Sequence, residues 1–245
     1  MEELTGFLTT CWLQIILAVA ASYLISSVNT SIIVTQVVLH KDIRTMGSGN
    51  AGFTNVLRCV GKAPAVITFI GDFLKGIVSV CIALLLTLTI QDAQADVYRG
   101  YLMYLAGLFA VVGHTFPIYY KFKGGKGVVT TFAVMLMTDW RTLICALLLF
   151  AIFFVISHII SVCALVNFTL YAFSAFLWRY LDFCGVTSAV STIPHPTWSF
   201  VIYSAVMALL MGILVIVRHK DNIKRLLNGT EKRIKAKTKE EGDKA

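Results

Sequence analysis

The chain has 245 residues, of which 58% are hydrophobic and 14% are charged. A soluble domain carries about 25% charged residues, so the composition excludes an ordinary water-soluble globular protein. The formal net charge is +8, and most basic residues lie between or after long apolar runs. The six cysteines are scattered and form no CxxC pair, which argues against a structural zinc site.

Seven apolar stretches approach or exceed the 20 or so residues that a membrane-spanning helix needs. We expect spans at about residues 7–39, 64–91, 100–120, 126–138, 142–157, 161–178 and 197–217. The fourth is short, and the fifth and sixth are divided near Ser157–Ser161, the most polar part of an otherwise uncharged run. The pattern predicts an all-α integral membrane protein with seven transmembrane helices (residues 1–230) and a basic, disordered tail (residues 231–245).

The lysines and arginines between the spans are distributed unevenly. Seventeen fall on one face of the predicted bundle, whereas three fall on the other: Arg99, Arg141 and Arg179. Cytoplasmic loops carry the excess of basic residues in membrane proteins, so we expect the N-terminus outside and the C-terminus in the cytoplasm. No basic segment precedes the first apolar run, and a cleaved signal peptide is therefore not expected.

The first basic loop contains the glycine-rich run Gly47–Gly52. Small residues leave the backbone bare, so its N–H groups can approach a phosphate oxygen closely. The run also matches G-x-G-x-x-G, but no strand precedes it and a dinucleotide fold is not expected. An ordinary turn is the alternative, although a cation next to so many donors favours an anion site. The predicted phosphate ligands of this loop are Ser48, Gly49, Asn50, Asn55 and Arg58.

The second basic loop interleaves lysines and glycines just before a predicted helix. N–H groups exposed at a helix start favour an anion, and a merely flexible basic loop would not explain the glycines. The predicted phosphate ligands here are Lys123, Gly124, Gly125, Lys126 and Gly127. A Walker A loop is excluded because no Ser or Thr follows the Gly-Lys pair. His114, near the end of the preceding span, is a candidate catalytic residue; an ordinary interfacial histidine is the alternative.

Two further sets of polar residues accompany these loops. His219 and Asn222 share one helical face after the last span and are predicted to orient an acceptor substrate; snorkelling basic residues at a helix end are the alternative for this segment. Asp72 and Lys75 lie three apart in the second span, where charges pair or face a polar cavity. They are expected to support the site, or else to form a purely structural ion pair.

Together the three basic segments closely resemble the bacterial membrane acyltransferases that transfer a fatty acyl group from acyl phosphate to glycerol 3-phosphate. The resemblance covers most of the chain and rests on Gly47–Arg58, Gly113–Gly127 and His219–Leu227. It implies seven spans, a bacterial cell membrane, an active site on the cytoplasmic side, and lysophosphatidic acid as the product. Ser161 stands where the family carries a serine between the fifth and sixth spans, and we count it as a phosphate ligand. The segment Ser26–Asn29 departs from the family pattern.

The chemistry of that reaction fits these residues. Both substrates are anions and inorganic phosphate is the leaving group, so the protein must supply positive charge, hydrogen-bond donors and orientation. The predicted catalytic residues are Ser48, His114, His219 and Asn222, with the hydroxyl proton passing either to His114 or to the acceptor's own phosphate. The expected partners are acyl phosphate, glycerol 3-phosphate and membrane lipids.

No cofactor, metal, nucleic acid or obligatory protein partner is expected, and neither acyl-CoA nor acyl carrier protein is the direct donor. A transporter of phosphorylated solutes would need polar residues along a path through several spans. A non-catalytic lipid-binding scaffold would not require glycines at these positions in the loops. The sequence therefore favours an enzyme.

Overall fold

A computed structural model describes residues 2–92, 94–193 and 196–233, and these residues contain helices and loops but no strand. The α-helices in chain order are α1 (Glu2–Thr10), α2 (Trp12–Ser26), α3 (Thr30–Leu39), α4 (Phe53–Cys59), α5 (Lys62–Thr87), α6 (Ala95–Thr115), α7 (Val128–Thr138), α8 (Trp140–Ser157), α9 (Ile160–Phe183), α10 (Trp198–Val217) and α11 (Lys220–Leu227). Short 3-10 helices lie at Ile43–Thr45, Ile118–Tyr120 and Ser188–Val190.

Within the described residues, six segments are long and apolar enough to cross a membrane: Trp12–Leu39, Lys62–Thr87, Ala95–Tyr120, Trp140–Ser157, Ile160–Phe183 and Trp198–Val217. The fourth predicted span corresponds to the shorter apolar helix α7, which rises about 16 Å over its length. The predicted all-α membrane fold is confirmed. The division between the fifth and sixth spans is also confirmed, since α8 ends at Ser157 and α9 begins at Ile160.

The first predicted span is one apolar segment broken between α2 and α3. The Asn29 side chain accepts a hydrogen bond from the Ile32 backbone N–H and caps α3. The carbonyl of Val28 at this break accepts a hydrogen bond of 3.0 Å from Lys75 Nζ. The buried lysine of α5 therefore satisfies a backbone group that the broken helix leaves unpaired.

Helix α6 packs closely against its neighbours because it carries glycines at the contacts. A Cβ at Gly113 would collide with the carbonyl oxygen of Tyr23 on α2, and one at Gly107 would collide with Val134 on α7. These contacts place His114 beside the loops that follow α3 and α6. We call that end of the bundle the cavity end.

The opposite end of the bundle holds a buried cluster of four charges. Arg141 Nη2 lies 2.7 Å from both Asp139 Oδ2 and Asp182 Oδ2, and Arg179 Nη1 lies 3.3 Å from Asp182 Oδ2. The sequence placed Arg141 and Arg179 between the predicted spans, whereas both lie within helices, α8 and α9, and are buried. α9 extends to Phe183, past the predicted end of its span, and brings Arg179 inside, where the paired carboxylates offset the cost of burial.

Candidate active site

A cavity of about 560 Å³ opens at the cavity end, a volume within the usual range for small-molecule sites. Its lining brings together polar and charged residues that lie far apart in the sequence: Ser48, Asn50, Thr54, Asn55, Arg58, Asp72, His114, Lys126, Ser161, His219, Asn222, Arg225, Glu231 and Lys232. The lining also includes many apolar side chains, among them Phe53, Leu57, Phe69, Phe132, Leu147, Phe150, Ala151 and Phe154. The cavity therefore offers both positive charge and apolar groups.

The first loop is shaped by the Asn55 side chain, which is buried. Asn55 Oδ1 accepts a hydrogen bond from the Ser48 backbone N–H at 2.9 Å, and Nδ2 donates to the carbonyls of Ile43 and Met46. A Cβ at Gly47, where φ is +55°, would collide with Asn55 Oδ1. The amide of Asn55 is thus committed to the loop, and it places Ser48 at the cavity.

The glycine pair of the second loop packs against His114. The N–H groups of Gly124 and Gly125 donate to the carbonyls of Thr115 and His114 at 3.2 Å, so the expectation that these two amides are exposed to an anion is wrong. A Cβ at Gly125 would collide with His114 Nε2. The glycines are needed because the loop lies directly on the end of α6, which leaves no space for side chains.

Arg218 holds the other side of this glycine loop. Its Nε and Nη2 each lie 3.3 Å from a carbonyl oxygen, those of Gly125 and Gly124 respectively. The loop is also tied to the first loop, since Arg44 Nη1 donates to the Tyr120 carbonyl at 2.8 Å. Both loops are therefore fixed relative to each other and to α10, and this rigidity positions Lys126.

Lys126 extends into the cavity and reaches α11. Its Nζ donates to Asn222 Oδ1 at 2.5 Å, and Asn222 Nδ2 donates to Glu231 Oε1 at 2.6 Å. The same Glu231 oxygen accepts from Ser161 Oγ at 2.8 Å. Burial lowers the pKa of Lys126 to about 8, although the nearby carboxylate of Glu231 opposes the shift. The lysine is therefore a cation at neutral pH but close to titrating.

The protonation of His219 follows from its contacts. Its ring is buried, and Nδ1 lies 2.8 Å from the Val215 carbonyl oxygen. A carbonyl only accepts, so Nδ1 carries the proton, and in a neutral ring Nε2 is then a hydrogen-bond acceptor. Burial lowers the pKa of His219 to about 4. His219 is consequently a neutral acceptor on the cavity wall.

His114 and the two buried charges of α5 form one group behind the glycine loop. Lys75 Nζ lies 2.9 Å from Asp72 Oδ1, and His114 Nδ1 lies 3.6 Å from the same oxygen. All three side chains are buried. Asp72 and His114 reach the cavity wall, whereas Lys75 does not line it.

Known proteins resemble the chain over most of its length. The family model described as glycerol-3-phosphate acyltransferase matches residues 16–229. The chain belongs to this family. The glycerol-3-phosphate acyltransferase of Syntrophotalea carbinolica is 38% identical over 218 residues, covering 88% of this chain and 95% of the relative. That of Neisseria gonorrhoeae is 37% identical over 220 residues, covering 89% and 96%.

Solved structures of the family have the same fold. The crystal structure of PlsY (YgiH), an integral membrane glycerol 3-phosphate acyltransferase, in its glycerol 3-phosphate form superposes with a TM-score of 0.71 at 29% identity. The match covers 90% of this chain and 96% of that one. The lysophosphatidic acid form gives a TM-score of 0.68. The chain is thus a multi-span membrane acyltransferase.

Not every predicted site residue of this acyltransferase lies on the cavity. Gly127, which caps α7 with φ at +86°, lines it, but Gly49, Gly124 and Gly125 do not. Lys123 is exposed and is absent from the lining; its backbone carbonyl accepts from Arg44 Nη1 at 3.3 Å. The lysines at 123 and 126 have similar sequence contexts, and only packing distinguishes them.

Three charged residues of the cavity were not expected from the sequence: Arg225, Glu231 and Lys232. Glu231 and Lys232, the first two residues of the predicted tail, line the cavity, whereas residues 234–245 lie outside the described residues. Arg225 belongs to the third basic segment and lies three residues after Asn222. That spacing puts both side chains on one helical face and could have indicated that Arg225 is near the site. Glu231 carried no signal because a single acid after a helix is typical of any exposed tail.

Proposed function

We propose that this acyltransferase moves a fatty acyl group from acyl phosphate to the sn-1 hydroxyl of glycerol 3-phosphate in the first acylation step of phospholipid synthesis. The observation that carries the proposal is the mixed lining of the cavity, which contains basic residues together with many apolar side chains. Such a site suits a donor with a phosphate at one end and a hydrocarbon chain at the other. The relatives named above support glycerol 3-phosphate as the acceptor.

The basic residues of the cavity account for the binding of two anions. Arg58, Lys126 and Arg225 reach it from α4, the glycine loop and α11. Gly127 and the N-terminus of α7 also face it, and the dipole of a helix favours a negative charge there. Neutralising the phosphate of the donor makes inorganic phosphate a better leaving group, which is the main electrostatic requirement of the reaction.

The transfer itself exchanges one acyl–oxygen bond for another. The acceptor hydroxyl oxygen attacks the acyl carbonyl carbon, the bond from that carbon to the phosphate oxygen breaks, and inorganic phosphate leaves. His219 Nε2 accepts the hydrogen bond of the attacking hydroxyl and orients it, and Ser48 donates to a phosphate oxygen. The phosphate of the acceptor takes the proton, because the neutral His219 is too weakly basic to hold it.

His114 has a different place in this scheme. Its Nε2 lies against Gly125 and its Nδ1 faces Asp72. We assign it to positioning the glycine loop, and through that loop Lys126. Asp72 and Lys75 support His114 from behind.

We place the enzyme in the cytoplasmic membrane of a bacterium, with the cavity on the cytoplasmic side. The uneven distribution of loop charges favours this orientation. The decisive test of the activity uses purified protein in detergent with palmitoyl phosphate and glycerol 3-phosphate. We expect lysophosphatidic acid and inorganic phosphate in equal amounts; formation of neither product would refute the proposal.

A further inference from the structure

The segment after α11 folds back over the cavity. The chain reverses at Gly229, where φ is +67°, and the Thr230 backbone N–H donates to the Arg225 carbonyl at 2.8 Å. This turn places the Glu231 side chain inside the protein, where it is 7% exposed. A carboxylate is rarely buried without partners that satisfy its oxygens.

The Glu231 carboxylate joins two helices at the cavity. Its Oε1 accepts from Ser161 at the start of α9 and from Asn222 on α11, and its Oε2 accepts from Arg225 Nε at 2.5 Å. Asn222 in turn binds Lys126 through its other end. One carboxylate therefore stands at the end of a hydrogen-bonded chain that reaches the cation of the glycine loop.

We propose that Glu231 is a positioning residue that fixes the amide of Asn222 and thereby holds Lys126 in the cavity. An asparagine amide has a donor end and an acceptor end that differ little in shape. The carboxylate accepts only, so it selects the NH₂ end of Asn222 and turns the oxygen toward Lys126. Without this partner the amide can rotate and present its NH₂ group to the ammonium, which places donor against donor.

The charge of Glu231 has a second consequence for the same lysine. Burial lowers the pKa of Lys126, and the positive charges of Arg225 and Arg58 lower it further. The negative charge of Glu231 opposes this shift, and Asp221 opposes it to a smaller extent. Glu231 therefore favours the cationic form of Lys126 at neutral pH. Loss of the carboxylate is expected to move the titration of Lys126 to lower pH.

The inference rests on the proposed function for its kinetic test and has a second readout that does not need turnover. Glu231→Ala removes the acceptor and the charge, whereas Glu231→Gln keeps an acceptor oxygen and removes only the charge. Thr230→Ala, in the same turn, is the matched control. The measurements are kcat and KM for glycerol 3-phosphate across pH, and the rise in melting temperature that inorganic phosphate causes.

We expect Glu231→Ala to lower kcat/KM by about ten- to a hundred-fold, the range for losing a hydrogen bond to a charged group. Glu231→Gln should recover part of that loss, and in both variants the alkaline fall in activity should begin at lower pH. Stabilisation by inorganic phosphate should shrink in Glu231→Ala and stay at the wild-type level in Thr230→Ala. This readout holds even if the wild-type enzyme uses other substrates.

Two results would overturn the inference. If Glu231→Ala keeps the wild-type kcat/KM and pH dependence per folded molecule, Glu231 only anchors the turn. If Glu231→Ala has a lower KM for glycerol 3-phosphate than the wild type, or is stabilised more by phosphate, the carboxylate competes with the anion instead of supporting its site. If Glu231→Ala does not fold, Glu231→Gln provides the test: an alkaline fall in activity that begins at lower pH supports the inference, and a wild-type pH dependence contradicts it.

Discussion

Lys126 and Asn222 are 96 residues apart in the sequence and meet in a hydrogen bond of 2.5 Å between Nζ and Oδ1. This contact joins the glycine loop to the helix that follows the last span. It holds an ammonium group at a cavity whose lining contains both basic and apolar side chains.

Replacement of Lys126 by methionine should impair turnover without unfolding the protein. Methionine is unbranched and only one heavy atom shorter than lysine, and it removes a cation whose charged form is disfavoured by burial. Loss of a charged hydrogen bond of about 1.5–3 kcal/mol corresponds to a roughly ten- to over a hundred-fold drop in kcat/KM. The control is Lys121→Met at an exposed position of the same loop. Equal kcat/KM in the two variants would remove Lys126 from the site.

The pH dependence of acceptor binding should report the charge of Lys126. Its pKa is lowered to about 8 by burial, so the cation is present below that pH and is lost above it. The KM for glycerol 3-phosphate should therefore rise as the pH passes through about 8. In Lys126→Arg the guanidinium stays charged, and the rise should disappear from this range. The same rise in both proteins would assign it to another group.

Gly125→Ala should damage activity through His114. The added Cβ would collide with His114 Nε2 and would lie 2.6 Å from the Ala51 carbonyl oxygen. Overpacking of this kind costs about 1–3 kcal/mol, and here the strain falls on the loop that carries Lys126. Gly185→Ala is the comparison, since no atom lies within 4 Å of the new Cβ there, even though φ is +77° at that position. We expect kcat/KM per folded molecule to fall in Gly125→Ala and to hold in Gly185→Ala.

The orientation in the membrane can be read from cysteine labelling in intact cells. Cys184 is exposed at the opposite end of the bundle, so the background protein carries Cys184→Ser. A maleimide that cannot cross the membrane should label Ala189→Cys from outside and should not label Thr45→Cys until the membrane is opened. Reversed accessibility would invert the topology.

The spans were largely predictable because hydrocarbon solvates only long apolar helices, and such helices are visible as runs in the sequence. The loop between α8 and α9 was found at Ser157, although no Gly or Pro marks it. Arg179 was expected after the end of the sixth span but lies within α9. A charge at the end of an apolar run gives no sign of a buried partner. That partner, Asp182, lies one helical turn further on, in a part of α9 that the apolar pattern did not include.

The site was predictable in outline and less so in detail. Glycines between lysines correctly drew attention to the second loop, but the reason for them is the close contact with His114 and not exposed amides. Glu231 could not be found, because its role depends on a turn at Gly229 that brings it back to Asn222. Hydrogen bonds between distant segments are set by packing, and a single sequence does not record them.

We expect the cavity to bind acyl phosphate as the acyl donor and glycerol 3-phosphate as the acceptor. The most direct test gives the purified enzyme palmitoyl phosphate, palmitoyl-CoA or palmitoyl acyl carrier protein at equal concentration, each with glycerol 3-phosphate, and measures lysophosphatidic acid. We expect product from palmitoyl phosphate alone, with inhibition by inorganic phosphate and loss of that product in Lys126→Met. A comparable amount of lysophosphatidic acid from palmitoyl-CoA would contradict the assignment of acyl phosphate as the donor.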